Sequence, residues 1–264
     1  MLKTRVFTAL VLLGLLLLAL FVLPLAGGLA FFALLLLLGS WEWAAFLHWD
    51  TTVARLGYCA IAAGLCCVCW WSPGQIPMRL VLGVAMVWWL AATLWILFWP
   101  KRVVPLLVGV AGLLVLVPTW LALAHLLTAA GPSYVMYLLL LVWGADIGAY
   151  FAGRRFGSRA LAPSCSPNKT WEGAAGGLLL SLLVALSGVY WFHLRPGGFL
   201  LLSGLTFAAS VVGDLTESLF KRHAGLKDSG AILPGHGGVL DRIDSVTAAA
   251  PVFAFGLSYL GAAW

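Results

Sequence analysis

Nine apolar stretches divide this sequence, and most of them approach the length of about 20 residues with which an α-helix crosses a membrane. Hydrophobic residues make up 63% of the chain and charged residues 9%. In soluble domains roughly half of the residues are hydrophobic and roughly a quarter are charged. The stretches are continuous and lack strict alternation, which excludes a membrane β-barrel. We therefore predict an all-α integral membrane protein with about nine transmembrane helices. The predicted spans are 6–23, 27–47, 53–71, 80–99, 103–126, 133–153, 173–192, 199–212 and 243–263.

Two of these spans are unusual. The eighth, 199–212, is short, and its helix could extend into the polar residues that follow it. The first follows Lys3 and Arg5, as the apolar core of a secretory signal would. Its core is longer than that of a usual signal, and Leu25-Ala26-Gly27 is a poor cleavage site. We predict a first helix that is retained.

Basic residues alternate between the two sets of loops and predict the orientation. With the N-terminus in the cytoplasm, thirteen lysines and arginines lie on the cytoplasmic side, and only Arg79 and Arg195 lie on the opposite side. The C-terminus is then predicted on the side opposite the cytoplasm. The same topogenic role accounts for the net charge of +6, so we expect no nucleic acid as a partner.

The two halves of the chain differ in polarity. Seven of the nine acidic residues and most glycine clusters follow residue 130. We predict a transmembrane scaffold of about five helices in residues 1–128 and a catalytic region with polar cytoplasmic loops in residues 129–264. Four of the five cysteines lie in one apolar stretch without a zinc-like partner cluster, so we expect them to pack as small apolar residues.

A polar face runs along residues 211–222. Asp214, Glu217, Ser218 and Lys221 are spaced i, i+3, i+4 and i+7, so a helix places them on one side. An exposed amphipathic helix with a Glu217–Lys221 pair would explain the pattern. Alternatively, because the helix continues from a membrane span, its carboxylates lie at the lipid boundary, where ionisable groups usually have a specific task.

A glycine-rich loop follows this helix. Gly235, Gly237 and Gly238 flank His236, and this composition favours a loop whose backbone approaches a ligand closely. Its N–H groups and the imidazole could surround an anion. An ordinary flexible loop is the alternative, because the chain has no Walker-type glycine and lysine pattern here.

Acidic and basic residues alternate around this loop. Asp241 and Asp244 are three residues apart at the start of the last predicted helix, and together with Asp214 and Glu217 they form a set of oxygen ligands suited to Mg²⁺. Carboxylates could hold the metal while fixed cations bind phosphate. The cations that alternate with them are Lys221, Arg222, Lys227 and Arg242.

Three further polar residues precede this region. Asp146 lies inside a predicted membrane helix, where a charge costs on the order of 2.5–3.5 kcal/mol, so we expect it to be paired or to line a wet cavity. There it would complete the metal site or hold a second cation. Lys169 and Glu172 follow a predicted Ser-Pro-Asn turn. Lys169 could bind a ligand or act only as a topogenic charge.

The segment SLFKRHAGLKDSGAILPGHGGVLDRID, residues 218–244, resembles the signature of the phosphatidate cytidylyltransferases, also called CDP-diacylglycerol synthases, without a gap over 27 positions. GDLTES, LVWGADIGAYFAGRRFG and SPNKTWEG also resemble family sequence. The resemblance implies a Mg²⁺-dependent reaction of CTP with phosphatidic acid that gives CDP-diacylglycerol and pyrophosphate. It also implies a protein of the bacterial inner membrane, with its active site facing the cytoplasm, and a homodimer as the expected assembly.

The resemblance and the spacing together suggest roles. Asp214 and Asp241 are the expected main metal ligands, with Asp244 and Asp146 beside them. His236 could orient or protonate the leaving pyrophosphate, or could be structural. The expected catalytic residues are Asp214, Lys227, Asp228, His236, Asp241, Arg242 and Asp244. The expected substrate-binding residues are Lys169, Glu217, Ser218, Lys221, Arg222, Gly235, Gly237 and Gly238.

Two other functions remain open on the residues alone. An ion-coupled transporter would use the acids as a relay, but it predicts charge spread over several helices near the midplane and an internal repeat. Another CTP-using lipid enzyme, such as a polyprenol kinase, would need the same polar residues. The signature, and not the spacing of charges, favours the cytidylyltransferase.

Overall fold

The computed structural model describes residues 2–72, 76–98, 104–163 and 165–260, and within them it contains nine α-helices and one small hairpin. Eight helical segments are long and apolar enough to cross a membrane. The prediction of an all-α integral membrane protein is therefore confirmed. The helices are α1 (Leu2–Leu17), α2 (Leu25–Phe46), α3 (Thr52–Trp71), α4 (Met78–Phe98), α5 (Pro105–His125), α6 (Pro132–Phe156), α7 (Trp171–Phe192), α8 (Pro196–His223) and α9 (Leu240–Leu257).

The observed helices follow the nine predicted spans with three differences. Helices α1 and α5 continue as single π-helical turns, Leu18–Val22 and Leu126–Ala130. Helix α8 continues well past the predicted end at residue 212, because the polar residues that follow keep helical spacing and bury their acidic face. Helix α9 has three charged residues in its first turns, so it is not among the eight segments that are apolar enough to cross a membrane. The predicted ends at 99, 103 and 263 lie outside the described residues.

One element was not predicted. Strands β1 (Ala160–Ala162) and β2 (Ser166–Thr170) form an antiparallel hairpin between α6 and α7. The predicted Ser-Pro-Asn turn is wrong, because these residues belong to β2. Thr170 ends the hairpin and also caps α7, since its hydroxyl accepts the N–H of Gly173 at 3.1 Å. The hairpin therefore fixes where Lys169 stands relative to the helices.

Small residues bring α6 and α7 into close contact. A Cβ atom at Gly148 would lie 2.4 Å from the carbonyl oxygen of Gly176, and one at Gly177 would lie 2.7 Å from that of Ala145. Helices in lipid associate through such close backbone packing, because lipid gives no hydrophobic drive between them. The same device joins α8 to α9, where a Cβ atom at Gly213 would lie 2.5 Å from the carbonyl oxygen of Asp244. Asp214 and Asp244 are thereby brought to one place.

Three polar side chains inside the bundle form hydrogen bonds from one helix to another. Trp43 Nε1 donates to the carbonyl oxygen of Val108 at 2.9 Å, and Tyr58 Oη donates to that of Gly109 at 2.8 Å, which joins α2 and α3 to α5. Tyr137 Oη lies 2.8 Å from Ser203 Oγ, within an aromatic cluster that includes Phe199. Such bonds matter in a membrane, since no water replaces a missing partner.

The ends of the bundle can be assigned to pairs of loops. Thr8 Oγ1 donates to the carbonyl oxygen of Pro234 at 3.0 Å, so the start of α1 lies beside the loop between α8 and α9. At the other end, the Arg79 guanidinium stands 5.8 Å from the ring centroid of Tyr259. The contacts agree with the predicted alternation of loops, while the side that faces the cytoplasm stays a prediction.

Thiol labelling tests this orientation. Native Cys165 is a poor reporter, because it is 2% exposed and burial raises the pKa of its thiol. In a cysteine-free background, we expect Arg159→Cys to react with a membrane-impermeant maleimide only after the inner face is opened, and Arg195→Cys to react in intact spheroplasts. Both positions are exposed in loops at opposite ends. The reverse pattern would contradict the positive-inside assignment.

Candidate active site

The acidic side chain of Glu42 organises the start of α9 from the opposite half of the chain. Its carboxylate accepts the N–H groups of Val239 at 2.9 Å and Leu240 at 2.8 Å, and the Ser229 hydroxyl at 3.0 Å. Glu42 is 2% exposed. The first N–H groups of a helix have no partner within it, and they carry partial positive charge. A buried carboxylate at this position therefore caps α9 and holds the preceding loop.

Asp241 is a second carboxylate that holds the same loop through hydrogen bonds. Its Oδ2 accepts the N–H groups of Ser229 and Gly238, both at 2.9 Å, and its Oδ1 accepts Lys221 Nζ at 2.6 Å. Burial by itself raises the pKa of Asp241, but the Lys221 ammonium and the two N–H donors hold it below its usual range. Asp241 precedes the predicted membrane span. Its oxygens thus have partners from three segments of the chain.

The glycines of this loop approach the chain's own carboxylates. A Cβ atom at Gly238 would lie 2.1 Å from Ser229 Oγ and 2.6 Å from Glu42 Oε2. Gly237 has φ +81°, a conformation that side chains rarely adopt, and a Cβ atom there would lie 2.8 Å from Asp241 Oδ2. The N–H of Gly238 is bonded to Asp241. For Gly238 the structure therefore differs from the expected anion contact, because a protein carboxylate takes the donor.

The polar face of α8 forms as the spacing predicted. Lys221 Nζ lies 3.5 Å from Glu217 Oε1 and also bonds to Asp241, so one ammonium joins two helices. Both Glu217 oxygens are buried and accept no hydrogen bond from the described part of the protein. Ser218 Oγ lies 3.5 Å from Asp214 Oδ1. The carboxylates of Glu217 and Asp241 thus share one ammonium group, that of Lys221.

A second ion pair closes the other side of the cluster. Lys169, at the end of β2, pairs with Asp214 on α8. The two side chains are about a quarter exposed, so the pair is accessible from outside the protein. Asp244 lies near enough to Asp214 and Glu217 for their charges to repel one another. Lys169 therefore lies beside several negatively charged carboxylates, whereas the cation of an ordinary surface ion pair faces only one.

Two cavities meet at these carboxylates. The first, of about 460 Å³, lies between the hairpin and α6, α7 and α8, and its polar lining includes Arg154, Asn168, Lys169 and Asp214. The second, of about 360 Å³, has a polar mouth and an apolar body among α1, α2, α5, α6 and α9. Asp146 lines both cavities. Asp146 was expected to be paired or to line a wet cavity, and it lines two cavities.

Four of the remaining predicted residues lie outside this cluster. Arg222, Lys227, Asp228 and Gly235 are exposed at the surface of the loop or helix end. Arg222 Nη1 donates to the carbonyl oxygen of Leu226 at 3.3 Å. Arg242 and His236 line the mouth of the second cavity. The structure therefore divides the predicted set into a buried cluster and an exposed loop.

Glu172 has a local structural contact. It accepts the Ser158 hydroxyl at 2.6 Å and the backbone N–H groups of Ser158 and Arg159. These bonds join the start of α7 to the segment between α6 and β1. Glu172 thus orders the base of the hairpin that carries Lys169.

The carboxylates fit a divalent cation in their chemistry. In the described residues no three His, Cys, Asp or Glu side chains are already arranged as ligands around one point. However, both Glu217 oxygens are buried without a hydrogen-bond partner in the described residues, and Asp244 lines the same small void as Glu217. Clustered anionic oxygens with free lone pairs are what Mg²⁺ binds. Asp241 is the least available of the expected ligands, because its partners are already in place.

Sequence reasoning missed Glu42 and Ser229. Glu42 stands alone inside the second apolar stretch, where an ionisable group usually has a task. That isolation was the available signal. Ser229, which is 4% exposed and bonds to both Glu42 and Asp241, carries no signal in the sequence beyond its place between Asp228 and Gly230.

The chain is similar to known proteins over nearly its whole length. Residues 3–260 match the profile of the Cytidylyltransferase family. A phosphatidate cytidylyltransferase of Pseudomonas aeruginosa is 44% identical over 96% of both chains, and one of Haemophilus influenzae is 39% identical over 97% of this chain and 98% of its own. A phosphatidate cytidylyltransferase of Staphylococcus aureus is 51% identical over 44% of this chain and 45% of its own. The resemblance seen in residues 218–244 is thus confirmed over nearly the full length, and the chain belongs to the cytidylyltransferase family, among relatives that are phosphatidate cytidylyltransferases.

Proposed function

We propose that this chain transfers the cytidylyl group of CTP to phosphatidic acid, which gives CDP-diacylglycerol and pyrophosphate. The observation that carries the proposal is the position of Asp146, which lines two cavities of different polarity. One substrate is a soluble polyanion and the other is a lipid with a phosphate headgroup. An enzyme that joins them needs two approaches to one polar centre, within a membrane protein.

The first cavity suits the triphosphate of CTP. Lys169 and Arg154 supply fixed positive charge, and Asn168 supplies amide donors beside them. The pairing of Lys169 with Asp214 keeps the ammonium at the cavity wall in the absence of substrate. We expect phosphate oxygens to compete for this ammonium when CTP enters. The first cavity is therefore the proposed nucleotide site.

The reaction needs no serine or cysteine nucleophile. A phosphatidate oxygen attacks the α-phosphorus of CTP, a new P–O bond forms, and the bond from that phosphorus to the bridging oxygen of the β-phosphate breaks. Pyrophosphate leaves with the electron pair. The two reactants are both anions, so the principal task of the protein is to hold them together and to offset their repulsion. Lys169, Lys221 and Arg242 are placed around the carboxylate cluster for this task.

Asp214, Asp244, Glu217 and Asp146 are the residues that would hold Mg²⁺, with Asp241 at the edge of the set. Bound there, the cation supplies neutralising charge to the phosphate oxygens of both substrates. The number of acids leaves room for a second cation at Asp146. Lys221 would keep Glu217 and Asp241 oriented, while Ser218 would hold Asp214 through its 3.5 Å contact.

The exposed loop residues are proposed to act when substrate is bound. Lys227 and Arg222 carry charge next to the loop and would contact the triphosphate from outside, with Asp228 beside Lys227. Gly235 and Gly237 give the loop its positive φ values of 75° and 81°. His236 would orient the leaving pyrophosphate or the lipid phosphate.

The proposed setting is a bacterial inner membrane with the cluster facing the cytoplasm, where CTP is available. Bacterial relatives and the positive-inside bias support this setting. A homodimer is the proposed assembly, and the division into a scaffold in residues 1–128 and a catalytic region in residues 129–264 is retained as a proposal. The bonds from Glu42 into the second region couple these two parts.

Product analysis tests the proposal. We expect purified protein in mixed micelles with CTP, phosphatidate and Mg²⁺ to form CDP-diacylglycerol and to release pyrophosphate in equal amounts. A kinase of the polyprenol type would release CDP instead, and a transporter would leave CTP unchanged. Omitting phosphatidate is the control and should abolish pyrophosphate release. Formation of CDP without CDP-diacylglycerol would overturn the proposal.

A further inference from the structure

The second cavity is amphipathic from one end to the other. At its mouth stand His236, Arg242 and the carboxylates of Asp146, Asp241 and Asp244. Its body is almost wholly aliphatic and aromatic, and the polar groups below the mouth include the Thr119 hydroxyl and the indole N–H of Trp120. Thr119 bonds to the carbonyl oxygens of Val115 and Thr247, so its hydroxyl is satisfied within the helices. The Thr119 hydroxyl is therefore not free to bind a ligand in the cavity.

The cavity is long enough for a chain of methylenes. Along α6 its lining extends from Asp146 at the mouth to Val135 at the deep end. Because an α-helix rises 1.5 Å per residue, these two positions are about 16 Å apart. The volume of about 360 Å³ falls within the range of roughly 300–1,000 Å³ that is usual for ligand cavities.

Helix α1 forms one wall of this cavity. Ala9, Leu12 and Leu16 line it, and Leu16 and Phe31 pack against the cluster that contains Leu123 and Val135 at the deep end. Most other residues of α1 are exposed, so the helix covers the cavity as a thin outer wall. Beyond this wall, in a membrane, lies lipid. An apolar chain thus needs to pass only one helix to move between the bilayer and the cavity.

The mouth is suited to a phosphate. Arg242 supplies a fixed charge, and the buried Nδ1 atom of His236 has no hydrogen-bond partner in the described residues. The carboxylates beside them are the proposed cation ligands. A lipid with an anionic head and an apolar tail therefore matches the cavity in both charge and polarity.

We propose that this cavity holds one acyl chain of the phosphatidate substrate, with Leu16 of α1 limiting how long that chain can be. The inference rests on the proposed function and deepens it. In a membrane the chain leaves an apolar solvent for an apolar cavity, so selectivity arises from fit and dispersion contacts and not from the hydrophobic effect. A cavity of fixed depth then discriminates by chain length.

A competition between two lipids tests this proposal. Dioctanoyl- and dipalmitoyl-phosphatidate are mixed in equal amounts in detergent micelles with excess CTP, and the two products are measured by mass spectrometry. We expect Leu16→Trp to lower the dipalmitoyl product relative to the dioctanoyl product by about tenfold, which is the low end of what a pocket gives for one methylene. Phe31→Ala, which removes a ring at the deep end, should shift the ratio in the opposite direction.

Leu15→Trp is the matched control. Leu15 is 47% exposed on the outer face of the same turn, so the same indole is added outside the cavity. The product ratio of this variant should equal that of the unmodified protein, and the KM for CTP should be unchanged in all three variants. Equal loss with both lipids in Leu16→Trp, together with no shift in Phe31→Ala, would overturn the acyl site. Absence of CDP-diacylglycerol from either lipid with the unmodified protein would instead overturn the proposed function.

Discussion

Replacing Asp214 by asparagine is expected to lower turnover by roughly 10²–10³, by analogy with the loss of one preorganised group that stabilises charge in a reaction. Asparagine keeps the size of the side chain but removes a negative charge and an anionic ligand from the proposed cation site. It also releases Lys169 from its ion partner. We expect protein that inserts and folds normally, has little activity, and is not rescued by more phosphatidate.

The dependence on metal distinguishes this explanation from a loss of folding. Activity of Asp214→Asn should recover in part at high Mg²⁺ or with Mn²⁺, because a weakened site is filled by mass action. Asp50→Asn is the control, since this carboxylate is 81% exposed and forms only a 3.4 Å surface pair with Arg55. Ordinary turnover with an ordinary Mg²⁺ requirement in Asp214→Asn would show that the cation is held elsewhere.

Replacing Glu42 by glutamine should be nearly as damaging, although Glu42 is remote in sequence from the reacting groups. Its Oε1 accepts one N–H, and its Oε2 accepts another N–H and a hydroxyl. A glutamine must turn its NH₂ group toward one of these donors and leaves it unsatisfied, at about 1–3 kcal/mol for a buried group. We expect lower stability in detergent and a strongly reduced kcat, because the loop that positions Asp241 loses its support.

Proteolysis separates Glu42 from the residues of the cluster. Lys227 is exposed in the loop that Glu42 holds. Trypsin should therefore cut after Lys227 faster in Glu42→Gln than in the unmodified protein, whereas Asp214→Asn and Asp50→Asn should be cut at the original rate. If Glu42→Gln resists trypsin as well as the unmodified protein and keeps its turnover, the assigned positioning role is incorrect.

Local spacing in the sequence was sufficient to predict α8 and its polar face. The positions 214, 217, 218 and 221 repeat with the period of a helix, and the observed contacts of Lys221 with Glu217 and of Ser218 with Asp214 follow from that period. Similarly, each apolar stretch predicted one helix, since backbone groups in lipid must bond within their own segment. The prediction succeeded where the structure is determined by neighbours along the chain.

The remaining contacts depend on parts of the chain that meet only after folding. Glu42 and its backbone donors are 197 and 198 residues apart, and no local pattern relates them. Lys169 reaches Asp214 because a hairpin turns back over the helices, and the sequence of that hairpin predicted only a turn. Likewise, local spacing could not predict the contacts of Asp241 with Lys221 and with the N–H of Gly238.

The bonds between Glu42 and α9 also predict an order of events during synthesis. When α2 leaves the ribosome, its acidic residue has no donors, because residues 239 and 240 do not yet exist. Until then the carboxylate is best solvated at the membrane surface, since a lone charge is unfavourable among lipid chains. Insertion of α9 supplies the missing N–H groups and allows the end of α2 to become buried. We therefore expect the final depth of α2 to depend on α9, which is made much later.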